Sequence, residues 1–178
     1  MSNDRNDYSV PLRLAPGQFL EFDTVADLSA FKKPMTSLYV GGSLRNPLIS
    51  EFAAKITALG IEAFCDWFGT GPNADDHWRD YAKIRGWSYR QALESAGARN
   101  VFEFDRSHLD RTDGMVLLMP AGKSAHLELG YTIGRGKPGY IVFPEEPPTD
   151  RWEVMVQFAT QIFFSQDEFF KFLQENKQ

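Results

Sequence analysis

Four short stretches of the chain carry residue types that can do chemistry. The first is Gly41-Gly42-Ser43-Leu44-Arg45-Asn46-Pro47. Glycines let a backbone approach an anion, Ser43 offers a hydroxyl, and Arg45 offers a planar cationic fork. The stretch is neither a Walker loop nor a GxGxxG loop, and a tight turn with a surface arginine would use the same letters. The second runs from Ala121 to Tyr131 and holds Glu128 one turn into an expected helix capped by Ser124. A carboxylate there is either a nucleophile or a first-turn glutamate that complements the helix dipole. The third is Asp105, with Asp110 and Asp113 close behind. Asp105 reads as the N-cap of a short helix, and Asp113 as a turn residue before an apolar strand. Two carboxylates brought together suit glycosidic bond chemistry: one attacks the anomeric carbon, and the other manages a proton or a sugar hydroxyl. The fourth stretch is Asp66-Trp67 through His77-Trp78. Trp67 and Trp78 either wall a pocket for a flat ring or complete the core.

Metal and thiol chemistry find less support. His77, His108 and His126 are scattered, with no spacing that suggests a zinc site. The single cysteine, Cys65, cannot form an internal disulfide. A reducing cytoplasm is expected, and the polar start MSNDRNDYSV shows no signal peptide. No metal and no cofactor are expected.

These residues need a scaffold to bring them together, and the pattern supplies one. Residues 1–36 read as an irregular arm broken by Pro11, Pro16, Gly17 and Pro34, with an edge strand possible over 18–22. Residues 37–178 read as one domain. Strands are expected at 37–40, 61–65, 115–119, 140–143 and 159–164. Asn46 and Pro47 read as N-cap and first residue of a helix stopped by Gly60. Further helices are expected over 74–95 with a break at Gly86, over 106–111, over 124–135 before Gly136, and after a Ser165 cap with Glu168 completing a capping box. Alternating strands and helices predict an α/β fold: a flavodoxin-like, doubly wound, five-stranded and mostly parallel sheet, with a C-terminal helix. Ligands in such folds bind beyond the carboxyl ends of the strands, so three loops matter most: 41–47, 65–75 and 120–128.

Composition narrows the partners. The chain has 178 residues and a formal net charge of −5, which argues against coating a nucleic acid polymer. Apolar runs are far too short to span a membrane. Aromatic residues make up 14%, and Phe158, Phe163, Phe164, Phe169, Phe170 and Phe172 crowd the C-terminal part. That is more than one amphipathic stripe needs, so a homodimer or higher oligomer is expected.

Taken together, the motifs resemble the nucleoside 2-deoxyribosyltransferase superfamily, which includes the 2′-deoxynucleoside 5′-phosphate N-hydrolases. The resemblance covers about residues 37–143 and is strongest at GGSLRNP, DRSHLDRTDGMVLLMP and SAHLELGYTIGRGKP. It implies that Glu128 is the nucleophile and that Asp105 is a second functional carboxylate. It implies that Gly42, Ser43 and Arg45 hold a 5′-phosphate. Asn46, Asp66, Trp67, Asp113 and Ser124 complete the expected substrate-binding set. The implied activity is cleavage or transfer at the N-glycosidic bond of a nucleoside or nucleoside 5′-monophosphate, through a glycosyl-enzyme. The chain departs from the family: Gly122 stands where the transferases carry Asp and the hydrolases Ser, and the Asp66–Trp78 loop is longer and more aromatic. The family's tyrosine near the first loop is sought in Tyr81 or Tyr89. A non-catalytic nucleotide-binding module of the same fold, or another phosphate-handling α/β enzyme with a structural Glu128, would share these features.

Overall fold

The computed structural model describes residues 12–15, 18–20, 34–67 and 74–176. The chain divides into two units, Met1–Pro34 and Met35–Gln178. In the first, β1 (Leu12–Ala15) and β2 (Gln18–Leu20) pair antiparallel as a separate two-stranded sheet. The possible edge strand near residue 18 therefore belongs to this ribbon and not to the main sheet.

The second unit is the α/β domain. Its strands are β3 (Ser37–Gly41), β4 (Glu62–Phe64), β5 (Gly114–Leu118), β6 (Gly139–Val142) and β7 (Gln161–Phe163). They form a five-stranded sheet in the order β4-β3-β5-β6-β7, and every pairing is parallel. Strands β3, β5 and β6 are buried along their whole length, as parallel strands covered on both faces must be. Side chains alternate between the two faces. Leu38, Val40, Val116, Leu118 and Val142 pack with α1 (Ile49–Ala58) and α6 (Gln166–Glu175). Tyr39, Met115, Leu117 and Ile141 pack with α4 (Ala96–Arg111) and α5 (Lys123–Gly134). Two further helices, α2 (Ala74–Ile84) and α3 (Tyr89–Glu94), precede α4. This is the doubly wound, flavodoxin-like arrangement that the strand–helix alternation predicts. Among the described residues no helix is long and apolar enough to cross a membrane.

Several local expectations change. The short helix expected over 106–111 is the last part of the 16-residue α4, which starts at the Ser95 cap. Only Leu109 of α4 is buried, so little apolar period marks its first turns. Helix α1 begins at Ile49 rather than Pro47, although the Asn46 carbonyl already accepts the Ile49 N–H at 3.4 Å. Helix α5 is capped by Gly122 without a side-chain bond, so Ser124 lies inside its first turn. Gly86, at φ +65°, ends the helix before it, and a Ser88–Gln91 capping box starts the next. Ser165 does cap α6, but the Glu168 carboxylate accepts the Phe164 N–H at 2.9 Å instead of that of Ser165.

The C-terminal aromatics are largely core. Phe163 and Phe169 are buried, and Phe170 and Phe172 pack against them beside Phe52 and Tyr140. Only Phe158 and Phe164 of that group are exposed. Desolvation pushes the buried Tyr140 hydroxyl up to about 12.

Candidate functional site

Because β3, β4 and β5 run parallel, the segments that follow them lie at one edge of the sheet. The loop after β3 is built by close approach. A Cβ on Gly42 would lie 2.4 Å from Ile49 Cδ1 and 3.2 Å from the Leu118 carbonyl oxygen, so any side chain there would force the buried Ile49 to shift. Asn46 is 2% exposed. Its Nδ2 donates to the Met119 carbonyl at 3.3 Å, and its Oδ1 accepts the Leu48 N–H at 3.1 Å. It ties the loop to the end of β5, so its amide already serves the scaffold. Ser43 is half-buried, and its Oγ accepts the Arg45 N–H at 3.2 Å. Arg45 is exposed, and among the described residues nothing holds its guanidinium.

At the end of β4, Trp67 takes a defined place. Its Nε1–H donates to the Val40 carbonyl at 2.8 Å, and the ring touches the cores on both sheet faces. The register pairs β4 with β3 only as far as Phe64 beside Tyr39, and the indole takes the next β3 carbonyl on that side. Trp67 is therefore a fixed, half-buried wall at the carboxyl edge. Trp78 is half-buried on α2, and residues 68–73 between them, including the Gly69-Thr70-Gly71-Pro72 turn, lie outside the described residues. Asp66 is exposed. Burial, and then the charge of Asp66, push the Cys65 thiol up, which keeps it protonated and unsuited to nucleophilic attack.

The two catalytic candidates lie below this edge, on the α4/α5 face. Tyr39 is 1% exposed and sits between Phe64 and Met115 in the sheet. Its hydroxyl donates to Asp105 Oδ1 at 3.3 Å. Asp105 is thus a mid-helix residue facing the sheet, not the N-cap of a short helix. Glu128 is half-buried on α5. Helical spacing puts it on the flank it shares with Tyr131 and Arg135. That flank faces α4, because the Tyr131 hydroxyl donates to Asp110 Oδ1 at 2.7 Å and Arg135 Nε lies 3.9 Å from the same atom. Both helices run down toward the amino edge. Asp105 is six residues before the last residue of α4, and Glu128 six before the last of α5, so each stands about 9 Å above its helix end. The two carboxylates therefore stand on facing helices, at similar distances from the ends of those helices.

Asp113 does not belong to this group. It precedes β5, at the opposite end of the sheet, and its Oδ2 accepts from the Thr36 and Ser37 N–H groups at 2.8 and 3.0 Å and from the Thr36 hydroxyl at 2.7 Å. It clamps the start of β3 to the start of β5. Ser124 is exposed in the first turn of α5 and caps nothing. Of the tyrosines considered for the family's position, Tyr81 packs edge-on against Trp87 and Tyr89 is 72% exposed. Tyr39 escaped the sequence reading. The one available signal is a phenol in the middle of an aliphatic strand, on the face opposite Leu38 and Val40.

Two hollows lie elsewhere. One of about 530 Å3 is a shallow depression over Ala121, Gly122, Lys123, His126 and Leu127. The other, about 480 Å3, is an apolar groove between α5 and residues 153–159. Neither includes Tyr39, Asp105 or Glu128. Among the described residues no His, Cys, Asp and Glu side chains group as a metal site. Compared with known proteins, the chain matches no family model, and no curated protein matches it significantly.

Proposed function

We propose that this protein cleaves or transfers at the N-glycosidic bond of a nucleoside or nucleoside 5′-monophosphate, as the nucleoside 2-deoxyribosyltransferase superfamily does. One observation carries the reading: Tyr39 in the sheet donates to Asp105 on α4, and Glu128 lies on the flank of α5 that faces α4, while Arg45 after β3 is exposed with no partner among the described residues. Glu128 attacks the anomeric carbon while the base leaves with the bonding electrons. Asp105 either gives that base its proton or fixes a sugar hydroxyl. Water or a second base then displaces the sugar from the Glu128 carboxylate. Ser43 and Arg45 take the 5′-phosphate, and Trp67 offers a flat wall to the base. No cofactor or metal enters this chemistry. The protein works as a homo-oligomer in the cytoplasm on small molecules rather than on a nucleic acid polymer.

The test is a panel of nucleosides and nucleoside monophosphates, assayed by chromatography for released base, with and without an acceptor base. A 2-fluoro-arabinosyl nucleoside should leave its sugar on Glu128. A panel in which no base is released and no label is retained overturns the catalytic reading. Gly122 favours a second reading. It offers neither carboxylate nor hydroxyl at the helix start, as befits a binding module that holds the nucleotide without cutting it.

A further inference from the structure

Helix α4 is fastened to the edge strand β4 by one compact cluster. The imidazole of His108 lies flat on Phe64, with ring centres 3.7 Å apart and planes 9° apart. Phe104, one turn earlier, closes over the same ring at 4.8 Å. Arg111 Nε–H donates to His108 Nδ1 at 2.9 Å. The guanidinium of Arg111 also reaches Glu62 of β4 at 2.7 Å and lies over the Phe64 ring. Glu62, Arg111 and His108 thus form a chain of contacts from strand to helix.

The central link depends on a lone pair. Nδ1 accepts a hydrogen bond only in the neutral imidazole, whose proton is then on Nε2. A charged imidazolium has N–H on both nitrogens. The Arg111 Nε–H would then face another N–H, and two cations would stand at hydrogen-bond distance. Protonation must therefore break this contact. Three residues before His108, on the same helix, is Asp105, whose carboxylate holds the Tyr39 hydroxyl.

We propose that His108 is a proton-operated positioning residue, which with a neutral ring locks α4 onto β4 and sets Asp105 against Tyr39, and with a charged ring lets that stretch of α4 shift. The latch stands on the geometry of α4 and β4. Its consequence for turnover rests on the role given to Asp105 above. The charged groups around the ring are Arg111 on its own helix, Glu62 on β4, and Asp66 just beyond β4. Desolvation and Arg111 hold the imidazole below the ordinary histidine range, against the opposing pull of Asp66 and Glu62. The latch is closed at neutral pH and opens on acidification.

The experiment is an NMR titration of the full chain from about pH 8 to about pH 5, the range over which histidine changes charge. It follows the His108 imidazole, assigned with His108→Gln, together with the amides of Tyr39 and Asp105. His108 should be an Nε2–H tautomer at neutral pH and titrate below the value it shows in the urea-unfolded chain. The Tyr39 and Asp105 amides should move with the same midpoint. In Arg111→Met the His108 midpoint should rise, and those amides should cease to follow it. An Nδ1–H tautomer, a midpoint at or above the unfolded one, or Tyr39 and Asp105 amides indifferent to it overturns the latch. The acid limb of base release should follow the His108 midpoint and shift with it in Arg111→Met. A limb that stays in place removes the positioning role. A parent that releases no base at any pH defeats the proposed activity alone, because the NMR result still decides the latch.

Discussion

Tyr39 and Asp105 stand 66 residues apart in the chain and meet through a 3.3 Å hydrogen bond. The bond joins the middle of the sheet to the middle of a helix that otherwise buries one residue. Removing the hydroxyl should therefore affect the placement of Asp105 more than the fold. Tyr39→Phe keeps the ring that packs on Phe64 at 5.3 Å. We expect it to cost about 1 kcal/mol in urea unfolding, the usual worth of one hydrogen bond. Base release should fall about fivefold, as a loss of similar size in the transition state would give. Full activity in Tyr39→Phe would show that Asp105 needs no such support.

Arg45 tests the phosphate site. Its guanidinium is exposed and has no partner among the described residues, so Arg45→Ala should leave stability unchanged. A hydrogen bond to a charged group contributes roughly 1.5–3 kcal/mol. The variant should thus lose about tenfold or more in affinity for a nucleoside monophosphate, measured by calorimetry, and little for the bare nucleoside. Equal losses for both ligands would place the phosphate elsewhere.

The sheet was legible because its strands obey a strong rule. Ser37–Gly41 and Gly114–Leu118 are short apolar runs ended by turn chemistry, and parallel strands buried on both faces read that way. Helix α4 was not legible, because a helix that exposes Val101, Phe102 and Phe104 and buries only Leu109 has no apolar stripe to betray it. Asp105 was singled out as a carboxylate, but its partner was missed, since a contact 66 residues away leaves no local trace. The scaffold bonds of Asn46 and Asp113 were hidden for a related reason. Short polar side chains next to strand ends answer backbone N–H and C=O groups first, and the sequence does not say which strand supplies them.

Acid should weaken the folded state in two steps of the same sign. His108 sits below the ordinary histidine value of 6.5, so below that pH the unfolded chain takes up a proton that the folded chain resists. Stability then falls as pH falls from about 6.5 toward the folded value. The Arg111 guanidinium holds the Glu62 carboxyl below its ordinary 4.5, so stability is lost again as Glu62 protonates below that pH. Urea midpoints measured across this range should show both declines, and His108→Gln should flatten only the upper one. A parent curve level between pH 7 and about pH 5 would contradict the first step.

Lys137 closes the C-terminal end of α4. Its Nζ donates to the carbonyls of Leu109, Asp110 and Thr112 at 2.8, 2.6 and 2.7 Å. An ammonium there satisfies carbonyls that a helix end leaves without partners and faces the negative end of the helix dipole. Lys137→Met keeps the aliphatic stem and removes all three bonds. We expect a loss of about 2 kcal/mol or more in unfolding free energy, seen as a lower urea midpoint at an unchanged slope. An unchanged midpoint would mean that water serves these carbonyls equally well.

Glu128 is the residue on which the proposed chemistry turns. It is half-buried, six residues beyond the Gly122 cap of α5, and the flank it occupies faces α4. Its neighbours on α5 that hold the fold are Ala125, Leu129 and Thr132, so truncating Glu128 removes little packing. Glu128→Ala should keep the parent's circular dichroism and most of its ligand affinity while base release falls to background. Glu128→Asp shortens the side chain by one methylene, and a misplacement of about 1 Å can cost about a hundredfold in rate. Asp105→Asn separates the two roles open to that residue. If Asp105 gives the base its proton, the loss should grow as the leaving base becomes poorer; if it fixes the sugar, the loss should be the same for every base. Chromatography of released base from the parent and the three variants, on one good and one poor leaving base, decides among these outcomes. Undiminished release by Glu128→Ala removes Glu128 from the mechanism and the glycosyl-enzyme with it.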